Sequence, residues 1–151
     1  MKTCCFTGHR NLTDEQRKIV TIELVGCVEY LINEGYTHFI TGMASGVDLL
    51  AAGIILQFKR TNKNIFLEAA VPHQNRLKCK DPNFINILNR SDKVTVIQEK
   101  YDISCFMKRN KYMVNNSDIV IAIWDGRKSG GTYNTIKYAE SQGKKVVTIP
   151  Y

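Results

Sequence analysis

The chain has 151 residues, a length typical of one domain and short for two packed domains. Its hydrophobic content of 44% and charged content of 23% are ordinary for a globular protein, and no apolar run approaches the ~20 residues of a membrane-spanning helix. The net charge of +7 favours an anionic partner, either a phosphate-bearing small molecule or a nucleic acid.

Cysteine and histidine usage gives no sign of a disulfide framework or a metal site. The five cysteines are an odd number, and no pair has the C-x-x-C spacing. His9, His38 and His73 are far apart, and none has a partner at metal-ligand spacing. The apolar stretch in the first ten residues is too short for a signal peptide. We therefore expect a cytoplasmic protein with reduced thiols, no metal, no required cofactor and no membrane contact.

The first strand and the first helix are marked clearly in the sequence. Residues 3–7 form a short apolar run that predicts a strand. Thr13 and Gln16 have the spacing of a capping box, and apolar residues then recur at helical intervals. We expect this helix to end near Asn33, because Gly35 is a natural helix stop.

The rest of the chain continues the same alternation. Pro72 is expected to end the third strand, and Asp81 followed by Pro82 is typical of an N-cap with proline at the first helical position. We predict further strands over residues 38–41, 65–71, 93–98, 118–124 and 145–149, and further helices over residues 47–58, 82–89, 104–116 and 132–142. This order indicates a single Rossmann-like α/β domain, with a mostly parallel sheet covered by helices on both faces.

Three glycine-bearing turns directly follow predicted strands, where ligands bind in folds of this kind. They are TGHR at residues 7–10, TGMASGVD at residues 41–48 and DGRKSGGTYNT at residues 125–135. Glycine lets backbone N–H groups approach an anion, and the following helix adds its unpaired N–H groups and positive dipole end. The turns therefore predict a phosphate site, although tight turns also use glycine for steric reasons alone.

The first turn also carries two potential cations. Arg10 lies just beyond a strand end, in reach of a phosphate bound by the later turns. His9 has the chemistry to donate to the same phosphate or to stack on a base, and a packing or capping role is equally open.

Four segments together resemble the SLOG superfamily, specifically its YpsA-like branch, over almost the whole chain: FTGHR, TGMASGVDLLAA, FMKRNKYMVNNSDIVIAIWDG and SGGTYNTIKYAESQGKKV. SLOG domains are regarded as sensors or binders of nucleotide-derived ligands. The superfamily includes the LOG-type phosphoribohydrolases, which release bases from nucleoside monophosphates, and the DNA-processing protein A group, which binds single-stranded DNA. Self-association is common among these relatives, so the resemblance also implies a homodimer or a higher oligomer.

The resemblance to the LOG branch implies a retained phosphate site and a lost cleavage group. Arg109 matches the arginine that serves cleavage in that family, and Gly130 and Gly131 match the glycines that hold phosphate. The position of the LOG glutamate falls on Lys137 or Tyr138, and neither is a carboxylate. Cleavage of an N-glycosidic bond develops positive charge on the ribose, which a carboxylate stabilises and a lysine opposes.

We therefore predict a ligand site built from the three turns, from Arg109, and from Gln74, which matches a glutamine of YpsA-like proteins and is placed to read a base edge. The predicted residues are Gly8, His9, Arg10, Gly42, Ser45, Gly46, Asp48, Gln74, Arg109, Asp125, Gly126, Ser129, Gly130, Gly131, Thr132, Asn134 and Thr135. If the protein is an enzyme, Arg109 is the candidate catalytic residue, with Asp48 or Asp125 replacing the missing glutamate.

Three functions from different classes are consistent with these residues. The first is binding of a nucleotide or nucleotide-derived phosphate ligand, as a sensor, regulator or sequestering protein. The second is hydrolysis of nucleoside monophosphates or related nucleotides. The third is binding of single-stranded nucleic acid, which we rank lower because no aromatic residues interleave the basic clusters. The YpsA-like resemblance adds a fourth reading, a regulatory partner in bacterial cell division or stress.

Overall fold

The computed structural model describes residues 1–151, which form six β-strands, five α-helices and one short 3₁₀ helix. The strands are β1 (Lys2–Gly8), β2 (Tyr36–Thr41), β3 (Phe66–His73), β4 (Lys93–Gln98), β5 (Ile119–Ile123) and β6 (Lys145–Ile149). The α-helices are α1 (Asp14–Asn33), α2 (Val47–Lys59), α3 (Pro82–Arg90), α4 (Cys105–Asn115) and α5 (Gly130–Ser141), and the 3₁₀ helix is Gln74–Lys78.

All six strands are parallel and lie in one sheet in the order β4-β3-β2-β1-β5-β6. β1 is central, and Cys5 pairs with Ile40 of β2 on one side and with Val120 of β5 on the other. The chain builds outward from β1 to β4 and then returns, so the strand order reverses between β1 and β5. The predicted Rossmann-like α/β fold is therefore confirmed, and the sheet is entirely parallel.

Helices cover both faces of the sheet because alternate strand residues point to opposite sides. Cys4 belongs to the larger apolar cluster, which includes the buried residues of α1, α2 and α3. Its neighbour Cys5 belongs to the smaller cluster, which includes Met113 and Val114 of α4 and Ala139 of α5. The sheet thus lies between three helices on one face and two on the other.

The ends of the first and third helices follow from local capping, as the sequence predicts. The Thr13 hydroxyl accepts a hydrogen bond from the Gln16 backbone N–H, and the Gln16 side chain accepts one from the Thr13 N–H. Asp81 likewise accepts from the Asn83 N–H at the start of α3. A capping interaction of this kind stabilises a helix by about 1 kcal/mol. None of the helices combines the length and the apolar character that a membrane span requires.

Three predicted boundaries were wrong by two residues, and the first of them is the start of β2, which lies at Tyr36 rather than at residue 38. β3 continues through Pro72 to His73, because β2 has already ended opposite Ala69 and the missing proline N–H removes no bond to that strand. α5 begins at Gly130 rather than at Thr132, so the two glycines assigned to a turn form the first residues of the helix. The low helix propensity of glycine does not exclude it from the first turn, where its N–H has no intrahelical partner.

Candidate functional site

A cavity of about 300 Å³ lies where the carboxyl ends of the central strands meet the N-terminus of α5. We call it the strand-end cavity, and its lining comes from four segments: Thr7, Gly8, His9, Arg10, Ala44, Asp48, Phe106, Arg109, Asn110, Gly131 and Thr132. It lies beside the reversal of strand order between β1 and β5, which is where open α/β sheets bind ligands. The structure thus brings residues of all three predicted turns to one cavity.

A second cavity, of about 220 Å³, adjoins the first. We call it the arginine cavity, because three guanidinium groups and no carboxylate line it: Arg10, Ala44, Ser45, Pro72, His73, Arg76, Phe106 and Arg109. The two cavities share Arg10, Ala44, Phe106 and Arg109. The shared residues form a common wall, so groups bound in the two cavities are neighbours.

Two glycines of the first and second turns allow these turns to dock on each other. A Cβ at Gly8 would lie 2.6 Å from Val47, and a Cβ at Gly46 would lie 2.3 Å from the backbone oxygen of Arg10. Gly46 also has a φ of 82°, which L-residues with side chains rarely adopt. The docked turns are joined by a hydrogen bond from the Val47 N–H to the His9 carbonyl. Gly8 and Gly46 are therefore explained by packing.

Arg109 projects from α4 across the sheet end to the second turn. Its side chain is buried, and the residue is only 6% exposed. Nη1 donates to the Gly42 carbonyl at 2.9 Å, and Nε donates to Asn110 Oδ1 at 3.2 Å. A Cβ at Gly42 would lie 3.0 Å from Arg109 Nε and 2.6 Å from Asp48 Oδ2, so glycine there makes room for both side chains.

Asp48 is the carboxylate of the strand-end cavity. It lies in the first turn of α2, and Oδ2 accepts a hydrogen bond from the Ala44 N–H at 3.2 Å. Burial raises the pKa of this carboxyl group, while the positive charge of Arg109 and the Ala44 hydrogen bond act in the opposite direction. Asp48 therefore anchors the second turn and also places an oxygen acceptor on the cavity wall.

The three arginines of the site lie close together without carboxylate partners of their own. The Arg10 guanidinium carbon lies 5.1 Å from the ring centroid of Phe106, and that of Arg109 lies 6.0 Å from it. Neither of them, nor Arg76, takes part in any of the four ion pairs of the chain. Burial lowers the pKa of Arg109. The charge of Asp48 opposes this shift, and the charges of Arg10 and Arg76 add to it. The arrangement favours a bound anion.

The N-terminus of α5 provides the backbone donors of the site. Gly130 has a φ of 91°, which explains glycine at that position. Gly131 has no positive φ, and a Cβ there would meet nothing within 4 Å, so packing does not require glycine. Gly131 and the buried Thr132 both line the strand-end cavity. An open glycine at a helix N-terminus allows an anion to approach the free N–H groups.

His9 presents an unpartnered nitrogen in the same region. Its Nε2 atom is buried and makes no hydrogen bond within the chain. The nearest carboxylate oxygen, Asp125 Oδ1, lies 3.6 Å away, which is too long for a hydrogen bond. A buried polar atom without a partner is unusual in a folded protein, and His9 is also one of the residues that line the strand-end cavity.

Several predicted residues lie outside both cavities, while Ser45 lines the arginine cavity. Asp125 pairs with Arg127 in its own loop, and the Thr135 hydroxyl donates to the Gly131 carbonyl at 2.8 Å. Gln74 lies in the 3₁₀ helix, where its backbone N–H donates to the Glu99 carbonyl. The predicted residues that line neither cavity are Gly42, Gly46, Gln74, Asp125, Gly126, Ser129, Gly130, Asn134 and Thr135.

Sequence reasoning missed seven lining residues that the structure reveals: Thr7, Ala44, Pro72, His73, Arg76, Phe106 and Asn110. Phe106 and Asn110 occupy the same helical face as Arg109, so the i, i+3, i+4 spacing was a usable signal. His73 is the last residue of β3 and Arg76 lies in the 3₁₀ helix after it, so the strand end predicted at Pro72 concealed both.

The structure also places the residues that correspond to the LOG glutamate away from the cavity. Lys137 pairs with Glu140 at 3.6 Å on the exposed side of α5, and the Tyr138 hydroxyl donates to Asn115. Helix α5 therefore supplies backbone donors and Thr132 to the cavity but no carboxylate.

Comparisons with known proteins agree with this architecture. The chain is 31% identical over 135 residues to the uncharacterized SPbeta prophage-derived protein YoqJ of Bacillus subtilis (strain 168), and the match covers 78% of each protein. The X-ray structure of TM1055, Northeast Structural Genomics Consortium target VT76, matches with a TM-score of 0.62 at 20% identity, covering 97% of this chain and 72% of that one. This second match shows a shared fold. The family model YpsA, described as the YspA SLOG family, matches residues 4–150, and the chain therefore belongs to this family.

Proposed function

We propose that the protein binds a nucleotide or a nucleotide-derived ligand, with a phosphate group in the strand-end cavity, and acts as a sensor, regulator or sequestering protein. The main support is that the guanidinium groups of Arg10 and Arg109 and the open N-terminus of α5 all line one cavity. Phosphate is the ligand group that uses both features, because it accepts hydrogen bonds from backbone N–H groups and pairs with arginine.

The size and the lining of the cavity support a ligand larger than free phosphate. A volume of about 300 Å³ is at the lower end of the range for small-molecule sites. Phe106 offers an apolar ring, and Asp48 and Asn110 offer acceptors suited to ribose hydroxyls or base edges. These groups complement the sugar and base of a nucleotide, while the arginines and α5 complement its phosphate.

Isothermal titration calorimetry with AMP, GMP, CMP and UMP tests the proposal, with inorganic phosphate as the minimal ligand. Arg10→Gln is the informative variant, because Arg10 is exposed and its guanidinium makes no ion pair that holds the fold. We expect it to weaken nucleotide binding by at least tenfold, since a hydrogen bond to a charged group contributes about 1.5–3 kcal/mol. Arg17→Gln on the exposed side of α1 is the matched control and should bind normally. Absence of binding below millimolar concentration for every nucleotide would refute the proposal.

A second candidate function is hydrolysis of a nucleoside monophosphate to a free base and ribose 5-phosphate. The observation that favours it is Asp48, the one carboxylate that lines the strand-end cavity. In this reaction water adds to the anomeric carbon, the bond to the base nitrogen breaks, and the base leaves with a proton. Chromatography of AMP incubated with native protein and with Asp48→Asn decides the matter: release of adenine that the variant lacks supports it, and intact AMP excludes it for this substrate.

A further inference from the structure

We propose that the arginine cavity is a second phosphoryl subsite, so that the preferred ligand carries a diphosphate bridging the two cavities. This inference rests on the proposed function, because it assumes that the first phosphate lies in the strand-end cavity. It selects a nucleoside diphosphate, or a molecule that contains one, over a nucleoside monophosphate.

The charge of the arginine cavity is the first reason. Three guanidinium groups line about 220 Å³, and no acidic residue is among the lining residues. The carboxylate that balances part of the charge, Asp48, lies on the wall of the other cavity. Convergence of like charges is unfavourable in the free protein, and an anion with two or more negative charges relieves it.

Arg76 is held in place for this role. Nη2 donates to the Met43 carbonyl at 2.9 Å, and the guanidinium lies 4.7 Å from the ring centroid of Phe84. Arginine has five N–H donors, so one bond to the backbone leaves others free for an incoming oxygen. The side chain is thereby ordered before binding, which reduces the entropy lost when a ligand is bound.

His73 provides an independent observation at the same cavity. Its Nδ1 atom is buried and has no hydrogen-bond partner within the chain. The ring packs edge-on against Tyr101, with the ring centroids 5.3 Å apart. The ring thus has a packing partner but its nitrogen has none, and the nitrogen belongs to a residue of the cavity wall. A phosphoryl oxygen in the cavity becomes a suitable partner when the ring turns this nitrogen toward the cavity.

The shared wall explains why the two phosphates should be directly linked. Arg10, Ala44, Phe106 and Arg109 line both cavities, so groups bound in the two cavities are separated by little more than these side chains. A diphosphate places two phosphoryl groups side by side, and both then contact the same two arginines. Phosphates at opposite ends of a ribose are farther apart.

Calorimetry with AMP and ADP tests the inference, because the two ligands differ only in the second phosphoryl group. We expect the native protein to bind ADP at least tenfold more tightly than AMP. Arg76→Gln should remove most of this preference, because it should weaken ADP binding much more than AMP binding. Arg60→Gln, the same charge change at the exposed end of α2, is the control and should retain the preference.

His73→Phe separates binding from folding. It keeps an aromatic ring against Tyr101 and removes a nitrogen that has no partner, so thermal stability should be unchanged or slightly higher. Its ADP preference should nevertheless fall. This variant also keeps the test decisive if Arg76→Gln loosens the second turn and fails to fold.

The outcomes distinguish the inference from the proposed function. Equal affinity of the native protein for AMP and ADP overturns the second subsite and leaves the proposed function standing. An equal loss of AMP and ADP affinity in Arg76→Gln has the same meaning. Tighter binding of adenosine 3′,5′-bisphosphate than of ADP overturns the diphosphate. Binding of a single-stranded oligothymidylate that Arg76→Gln abolishes, with no ADP preference, overturns it in favour of a polymer. Binding of neither AMP nor ADP overturns both proposals.

Discussion

Replacement of Gly131 with alanine tests whether this position requires glycine for ligand binding or for packing. A Cβ at this position meets no atom within 4 Å, and the backbone does not have a positive φ. Because alanine is favoured over glycine within helices by roughly 0.5–1 kcal/mol, we expect the variant to be as stable as the native protein or up to about 1 kcal/mol more stable. In a domain of this size such a gain raises Tm by roughly 2–4 °C.

The same methyl group should weaken ligand binding. Gly131 lines the strand-end cavity at the N-terminus of α5, so its Cβ occupies space through which a phosphate reaches the free N–H groups. Loss of one hydrogen bond to a charged group costs about 1.5–3 kcal/mol. This corresponds to a Kd for AMP that is roughly 10- to 150-fold higher, measured by isothermal titration calorimetry alongside thermal unfolding of the same sample.

Gly26→Ala is the matched control for this experiment. Gly26 lies in the middle of α1, is exposed, and also has nothing within 4 Å of a built Cβ. The control should gain stability for the same reason and bind AMP normally. If Gly131→Ala folds and binds AMP with native affinity, α5 does not hold the phosphate. If it lowers Tm by several degrees, the packing argument is wrong.

Three other substitutions test separate parts of the structure. Gly46→Ala should lower the free energy of unfolding, measured in urea, by more than about 3 kcal/mol. The backbone φ of 82° is strained for alanine, and the added Cβ would lie 2.3 Å from the Arg10 carbonyl oxygen. A loss below about 1 kcal/mol contradicts the docking of the two turns. Burial raises the pKa of Asp48 above its ordinary value of 3.8, so the contribution of this residue to stability should fall as pH rises from that value through the higher folded pKa. Asp48→Asn should therefore be as stable as the native protein or more stable at pH 7, and the difference between the two should vanish near pH 3. Urea unfolding at both pH values measures this difference. A variant that is less stable than the native protein at pH 7 contradicts the prediction. The buried Glu68 carboxylate accepts hydrogen bonds from the Tyr112 hydroxyl at 2.5 Å and from the Thr95 hydroxyl at 2.7 Å. Tyr112→Phe removes the first of these and should lower the free energy of unfolding by about 1–3 kcal/mol without changing AMP affinity. A variant more stable than the native protein contradicts this role of Tyr112.

The order and type of the elements could be predicted from the sequence because the signals are local. The apolar residues Val20, Leu24, Val28 and Leu31 recur at helical spacing, and all four are buried in α1. The capping box at Thr13 and the proline after Asp81 mark helix starts through contacts that span two or three residues. Errors occurred where the tertiary structure changed the local rule. At Pro72 the missing N–H removes no bond to β2, because β2 has already ended opposite Ala69.

The position of the strand-end cavity was also predictable in outline, because folds of this kind bind ligands at the carboxyl ends of parallel strands. The turns at His9 and Arg10, at Asp48, and at Gly131 and Thr132 all line the strand-end cavity. The prediction treated every glycine of these turns alike. The role of each depends on the atoms opposite it, and these belong to distant parts of the chain.

Alternating apolar patterns and capping residues specify strands, helices and a parallel sheet, because those features depend on neighbours within a few positions along the chain. The order of the strands depends instead on which apolar faces bury each other over long sequence separations. That order brings Arg109 to the Gly42 carbonyl, 67 residues away in the chain, and Arg76 to the Met43 carbonyl, 33 residues away. The three arginines, the two adjoining cavities and the open space beside Gly131 exist because of these long-range contacts.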